Sequence, residues 1–158
     1  MGLDMYLTAR RYLRTWGNDN DIELINKLNV QHGLKPIKKD DFSHPIKVQE
    51  LVFDAAYWRK ANQIHAWFVQ QVQGGEDECR EHYVSREQIQ ELIDTCKKVL
   101  ADHTLAPTLL PTQSGFFFGS TEYNDWYFKD LEYTVERLEK VLAIKAFEDC
   151  DFYYKSSW

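Results

Sequence analysis

Arg59, Lys60, Asn62 and His65 stand close together inside an aromatic-rich segment that runs from Tyr57 to Val69. Read as a helix over roughly Ala55 to Gln73, the segment places Arg59, Asn62 and His65 at i, i+3 and i+6, climbing one side. A histidine at the edge of an apolar stripe can titrate near neutrality or donate to a ligand. It can equally be a half-buried structural residue. A second group is Ser120, Thr121, Glu122 and Trp126, between an apolar run and a helix. Where a strand leads into a helix N-terminus, free backbone N–H groups favour an anion. Glu122 and Asp125 oppose a phosphate there and suit the helix dipole themselves. Arg59, Asn62, His65, Ser120, Thr121, Glu122 and Trp126 are therefore the candidate ligand-binding residues, and no catalytic residue is assigned.

Motif-level chemistry is sparse. There is no GxSxG elbow, Walker A loop, GxGxxG or HExxH pattern, so no cofactor is expected. Cys79 near His82 falls short of a zinc ligand set, and the pair is also weak as a nucleophile and base. The adjacent acids Asp77-Glu78 and Glu148-Asp149 read as solvated charge. Cys79, Cys96 and Cys150 form no CxxC pair, which suggests reduced thiols in a cytosolic protein.

The elements that must position these residues can be read from periodicity. Leu3 to Leu13 alternates as a strand, with Met5, Leu7 and Ala9 on one face and Tyr6, Thr8 and Arg10 on the other. Asn20 caps a short helix, with Glu23 in capping-box position, and the helix ends before Gly33. His32 to Pro45 is a loop and Ile46 to Phe53 a second strand. The aromatic helix follows, with Tyr57, Ala61, Ile64 and Phe68 as its buried stripe and Arg59, Gln63 and Gln70 facing water. Gly74-Gly75 ends it, and an acidic loop runs from Glu76 to Glu81. Ser85 and Gln88 complete a capping box opening a helix whose apolar face is Ile89, Leu92, Ile93, Cys96, Val99 and Leu100. Thr104 to Gln113 is irregular, and Gly115 to Gly119 reads as a short apolar strand. A last helix spans about Asp125 to Ala146, with Tyr127, Leu131, Thr134, Leu138, Val141 and Leu142 inward. Asp151 to Trp158 alternates as a final strand. The order β-α-β-α-α-β-α-β predicts one α+β domain over 1–158. Its small mixed or antiparallel sheet is covered by about four helices.

Composition sets the outer bounds. An apolar fraction of 44% supports a sizeable core, and the 15% aromatic share exceeds what a core requires, leaving rings for a surface or groove. The formal charge of −6 argues against non-specific nucleic-acid binding. Arg10, Arg11 and Arg14 form a local basic cluster that reads as solvated charge. No apolar run is long enough for a membrane span, and the N-terminus lacks the features of a signal peptide or a myristoylation site.

Three blocks carry a resemblance: the opening Met1 to Leu7, Tyr57 to His65 with Trp67-Phe68-Val69, and Ser114 to Tyr123 with Trp126-Tyr127. In these, nearly the whole chain resembles a family of small proteins encoded by tailed bacteriophages and prophages. The resemblance implies location in the cytoplasm of the infected bacterium and an accessory role outside the virion. It brings no catalytic assignment. The leading expectation is a non-enzymatic protein that binds a host or phage factor, for example as an inhibitor of a host defence or host enzyme. The alternative is a small-molecule or nucleotide-binding protein or enzyme. Its aromatic-lined pocket would lie between the Tyr57 helix and the Phe116 to Phe118 strand, with Arg59, His65 and Glu122 supplying polar contacts. Self-association through the terminal strand ending at Trp158 fits either expectation.

Overall fold

A computed structural model describes residues 2–158. The architecture is α+β, with an antiparallel four-stranded sheet. In chain order the elements are β1 (Asp4–Tyr12), α1 (Asp19–Gln31), β2 (Glu50–Arg59), α2 (Asn62–Gln71), β3 (His82–Val84), α3 (Arg86–Ala101), the one-turn α4 (Ala106–Leu109), α5 (Asp125–Ala143) and β4 (Asp151–Ser157). The sheet order is β2-β1-β4-β3. Among the described residues, no helix is long and apolar enough to cross a membrane. The chain forms two compact units, Arg10–Val52 and the remainder.

In the larger unit, strand alternation decides the core. Met5, Leu7 and Ala9 of β1, Ala56 and Trp58 of β2, Val84 of β3 and Phe152 and Tyr154 of β4 are buried. Ile64 and Phe68 of α2, the predicted apolar face of α3 and the predicted stripe of α5 join them in one cluster. Phe68 stacks on Tyr154 at 3.9 Å between ring centroids. Trp58 gives its Nε1–H to Thr134 Oγ1 at 2.9 Å, so the indole is buried without an orphan donor. The Ser85–Gln88 capping box forms as expected. Arg86 reaches back to the carbonyls of Leu142 (2.8 Å) and Phe147 (3.1 Å), satisfying acceptors at the end of α5 and in the 3₁₀ turn after it.

The smaller unit is built on α1 and has its own core of Leu13, Ile25 and Ile37. Its cap is Asn18, whose side chain accepts from the N–H groups of Asn20 and Asp21; the expected Asn20 cap lies inside the helix. Asparagines on α1 hold the long following loop. Asn26 bonds both the N–H (2.7 Å) and the C=O (3.0 Å) of Ile37, and Asn29 bridges the Lys35 carbonyl and the Val48 N–H. Arg11 pairs with buried Asp21, which also accepts from the Arg14 N–H, so the basic cluster is partly neutralised.

Several expectations are overturned. The aromatic helix from Ala55 does not form: residues through Arg59 are the end of β2, and Tyr57 is exposed on it. Lys60 then takes a left-handed backbone (φ 59°), its N–H donating to the Leu3 carbonyl, and the helix begins at Asn62. The segment carries a period-two pattern as well as a helical one, and pairing with β1 selects the strand. Gln63, expected in water, is 3% exposed. The second strand starts at Glu50, four residues later than its predicted Ile46 start, and Ile46 is exposed. Gly115 to Gly119 is a turn, closed by a Phe118 N–H bond to the Gly115 carbonyl (3.2 Å), with Phe116 in solvent. The short β3 was not anticipated. Finally, β4 lies between β1 and β3, and β3 pairs with it over Phe152 to Tyr154.

Candidate functional site

The structure separates the predicted site residues into two environments. His65 is fully buried and lies in a closed polar chain. Its Nδ1 is 2.7 Å from the Tyr154 hydroxyl and its Nε2 is 3.0 Å from Asp77 Oδ1. A carboxylate can only accept, so Nε2 carries its proton toward Asp77, and the tyrosine donates to Nδ1. Burial holds the Tyr154 hydroxyl well above its ordinary pKa, which keeps it a donor. Asp77 also accepts from Trp158 Nε1 at 3.2 Å, tying the C-terminus to the acidic loop. Both ring nitrogens of His65 are thus engaged within the fold.

Asn62 is equally committed. Its Nδ2 donates to the carbonyls of Phe118 (3.0 Å) and Ser120 (2.8 Å), and its Oδ1 accepts from the Gln113 N–H (2.9 Å). The α2 segment and the 113–120 loop therefore meet, with Asn62 as the fastener. Gly119 makes the approach close: at φ +88°, an added Cβ would lie 3.2 Å from Lys60 Cβ. The Thr121 carbonyl accepts from the Thr112 hydroxyl.

The meeting leaves a cleft of about 320 Å³, lined by Arg59, Lys60, Ser120, Glu122 and Trp126 together with Gly119, Asn124, Tyr127, Gln63 and Asp130. Four of the predicted residues, Arg59, Ser120, Glu122 and Trp126, share it. Asn62, His65 and Thr121 are not among its lining. Asp130 sits partly buried on α5 and accepts from Gln63 Nε2 at 3.3 Å. Burial pushes its carboxyl up to about 6, against the smaller pull of the Gln63 hydrogen bond. Arg59 lies 3.9 Å from Asp4 and is otherwise exposed. Among the described residues neither Lys60 nor Glu122 has an ion partner. The N-terminus of α5 is not an open anion site, because Asn124 Oδ1 already accepts from the Trp126 and Tyr127 N–H groups. Of the two walls expected for an aromatic-lined pocket, the helix begins only at Asn62 and the Phe116 to Phe118 segment is a turn, with His65 and Phe118 in ring contact at 5.2 Å.

A further surface was missed. The sheet face opposite the core carries one tyrosine from each strand: Tyr57 of β2, Tyr6 of β1, Tyr153 of β4 and Tyr83 of β3. Tyr57 and Tyr6 are 5.4 Å apart between ring centroids, and Tyr153 and Tyr83 are 5.9 Å apart. Tyr83 and Tyr153 are also direct partners in the register. Tyr6 and Tyr153 line a shared groove with Thr8, Cys79, Glu81 and Lys155, which makes the row continuous. The Tyr57 hydroxyl donates to Asp4. The signal available in the sequence was a tyrosine at the outward position of an alternating strand, as at Tyr6. The row could not be seen without the strand order.

Of the cysteines, Cys79 is exposed while Cys96 and Cys150 are buried, and all are free thiols. Burial raises the Cys96 thiol to about 12, which suits a packing role. Among the described residues no cluster of His, Cys, Asp or Glu could hold a metal ion. No protein-family model, curated protein or solved structure matches the chain.

Proposed function

We propose that this chain is a non-enzymatic accessory protein that binds another protein, a host or phage factor, through the tyrosine-bearing face of its sheet. The observation that carries the reading is the row Tyr57, Tyr6, Tyr153, Tyr83. Tyrosine combines large apolar area with a hydroxyl and few rotatable bonds, which favours it at protein contacts. The charges interleaved with the row are of both signs: Asp4 and Asp151 beside Arg10, Arg59 and Lys155. A phosphate backbone would meet carboxylates there, whereas a polypeptide surface with both signs of charge can complement it. The resemblance to phage-encoded proteins supplies the setting, the cytoplasm of an infected bacterium. In that setting, covering a working surface of a host defence protein or host enzyme is sufficient for inhibition.

The test is photo-cross-linking in host cells with p-benzoylphenylalanine placed at Tyr153, and at Tyr133 as a control exposed on α5. The reading expects a discrete polypeptide adduct from position 153 and none from 133. Equal adducts at both positions, adducts to nucleic acid, or no adduct at 153 would overturn it.

A further inference from the structure

The cleft between the β2–α2 junction and the start of α5 borders the tyrosine face at Arg59, and its lining carries charge of both signs. On one side stand Arg59 and Lys60. Lys60 is held there by an uncommon conformation. Its left-handed backbone is fixed by hydrogen bonds on both sides, N–H to Leu3 O (2.8 Å) and C=O from Asn62 N (2.9 Å). A non-glycine residue in that region is strained and persists only where its surroundings enforce it; such residues concentrate at ligand sites. From α5 and the loop before it come Glu122 and Asp130. The polar partner of Asp130 is the neutral amide of Gln63, which is itself buried. A partly buried carboxyl with no cation beside it carries an uncompensated desolvation cost, and a ligand ammonium would relieve that cost.

We infer that this cleft binds a small amino-carboxylate zwitterion, a free amino acid, with its carboxylate on Lys60 and Arg59 and its ammonium on Asp130 and Glu122. Trp126, exposed at the mouth with Lys129 Nζ 4.7 Å from its ring centre, offers an indole surface to the ligand side chain. A simple anion would meet the two carboxylates, and a simple cation the two basic groups. The zwitterion alone satisfies both walls.

The experiment is NMR titration of the full chain with the proteinogenic L-amino acids, following the Trp126 indole N–H and the Lys60 and Gly119 amides. Each amino acid that shifts these signals is then compared with its N-acetyl form, its methyl ester and its dipeptides. The inference expects saturable shifts confined to the cleft for at least one amino acid. Blocking either charge should weaken binding about ten-fold or more. Lys60→Met and Asp130→Asn should each do the same while circular dichroism and the remaining amide spectrum stay unchanged. Tighter binding of a dipeptide than of its free amino acid would identify a peptide terminus as the ligand and overturn the free amino acid. No saturable shift at millimolar ligand, equal binding of a charge-blocked form, or undiminished binding by both variants would overturn the site. None of these outcomes bears on the cross-link at Tyr153, so the two readings stand or fall separately.

Discussion

Tyr153 and Tyr154 are neighbours in β4 whose rings point to opposite faces of the sheet. Tyr154 is fully buried, stacked on Phe68 and hydrogen-bonded to His65. Tyr153 faces outward beside Tyr83, in a groove shared with Tyr6. The difference follows from the period of two that a strand imposes. On the inner face both ring nitrogens of His65 have hydrogen-bond partners. On the outer face Tyr6, Tyr57 and Tyr83 are exposed and Tyr153 is partly so, which leaves aromatic area that can still gain by being covered. A satisfied polar group builds the fold; exposed aromatic area in an ordered row is the feature on which the proposed partner contact rests.

That contrast can be broken most directly from the inside. Phe68→Ala removes the stacked partner of Tyr154 and should cost about 3–5 kcal/mol in chemical denaturation. Tyr154→Phe keeps the stack but leaves His65 Nδ1 without its donor, and should cost about 1–3 kcal/mol. If Tyr154→Phe were neutral, the inner chain would not be the organising feature described here.

Asp130 sharpens the comparison with opposite sign. Its carboxyl binds a proton in the folded chain up to about pH 6, against about 3.9 for a free aspartate. Between those values the folded state holds the proton that the unfolded state has lost, so stability falls as pH rises through the window. Asp130→Asn removes that penalty. After allowance for solvent screening it should stabilise the protein by about 1–2 kcal/mol at pH 7.5, with the gain disappearing below about pH 4. Melting curves at the two pH values check this.

The smallest stability effects belong to the outer row. Tyr153→Phe should change stability by less than about 0.5 kcal/mol, and Tyr6→Ala by about 0.2–1 kcal/mol through its lost pairing with Tyr57. Paired denaturation of Tyr153→Phe and Tyr154→Phe isolates the face as the single variable.

How far the sequence disclosed this arrangement depended on the kind of signal. The faces of α3 and α5, the Ser85 cap and the alternation of β1 and β4 are local periodicities, and the structure repeats them. The segment from Tyr57 to Val69 satisfied two periods at once, and only its pairing with β1 decides where strand ends and helix begins. Gly115 to Gly119 was apolar enough for a strand, but it closes as a turn through the Phe118 N–H to Gly115 carbonyl bond, with a single backbone bond from Leu3 N–H to the Phe117 carbonyl. Arg59, Ser120, Glu122 and Trp126 were each recognisable by type, and the structure brings them into one cleft. Gln63 and Asp130 were hidden because the first was assigned to the solvent side of a helix that starts later. The other lay on a helix face with no motif. The tyrosine row depends on the order β2-β1-β4-β3, which no local pattern encodes.

The central claim is that the open face binds a protein partner while the inner face only builds the fold. The measurement that tests it is the affinity of the polypeptide cross-linked at Tyr153 for the Tyr6→Ala/Tyr153→Ala double variant, taken beside the variant's melting temperature. The account predicts a melting temperature within a few degrees of the parent and a loss of affinity of about thirty-fold or more, the sum of two aromatic contacts. Unchanged affinity in a protein that remains folded would contradict it.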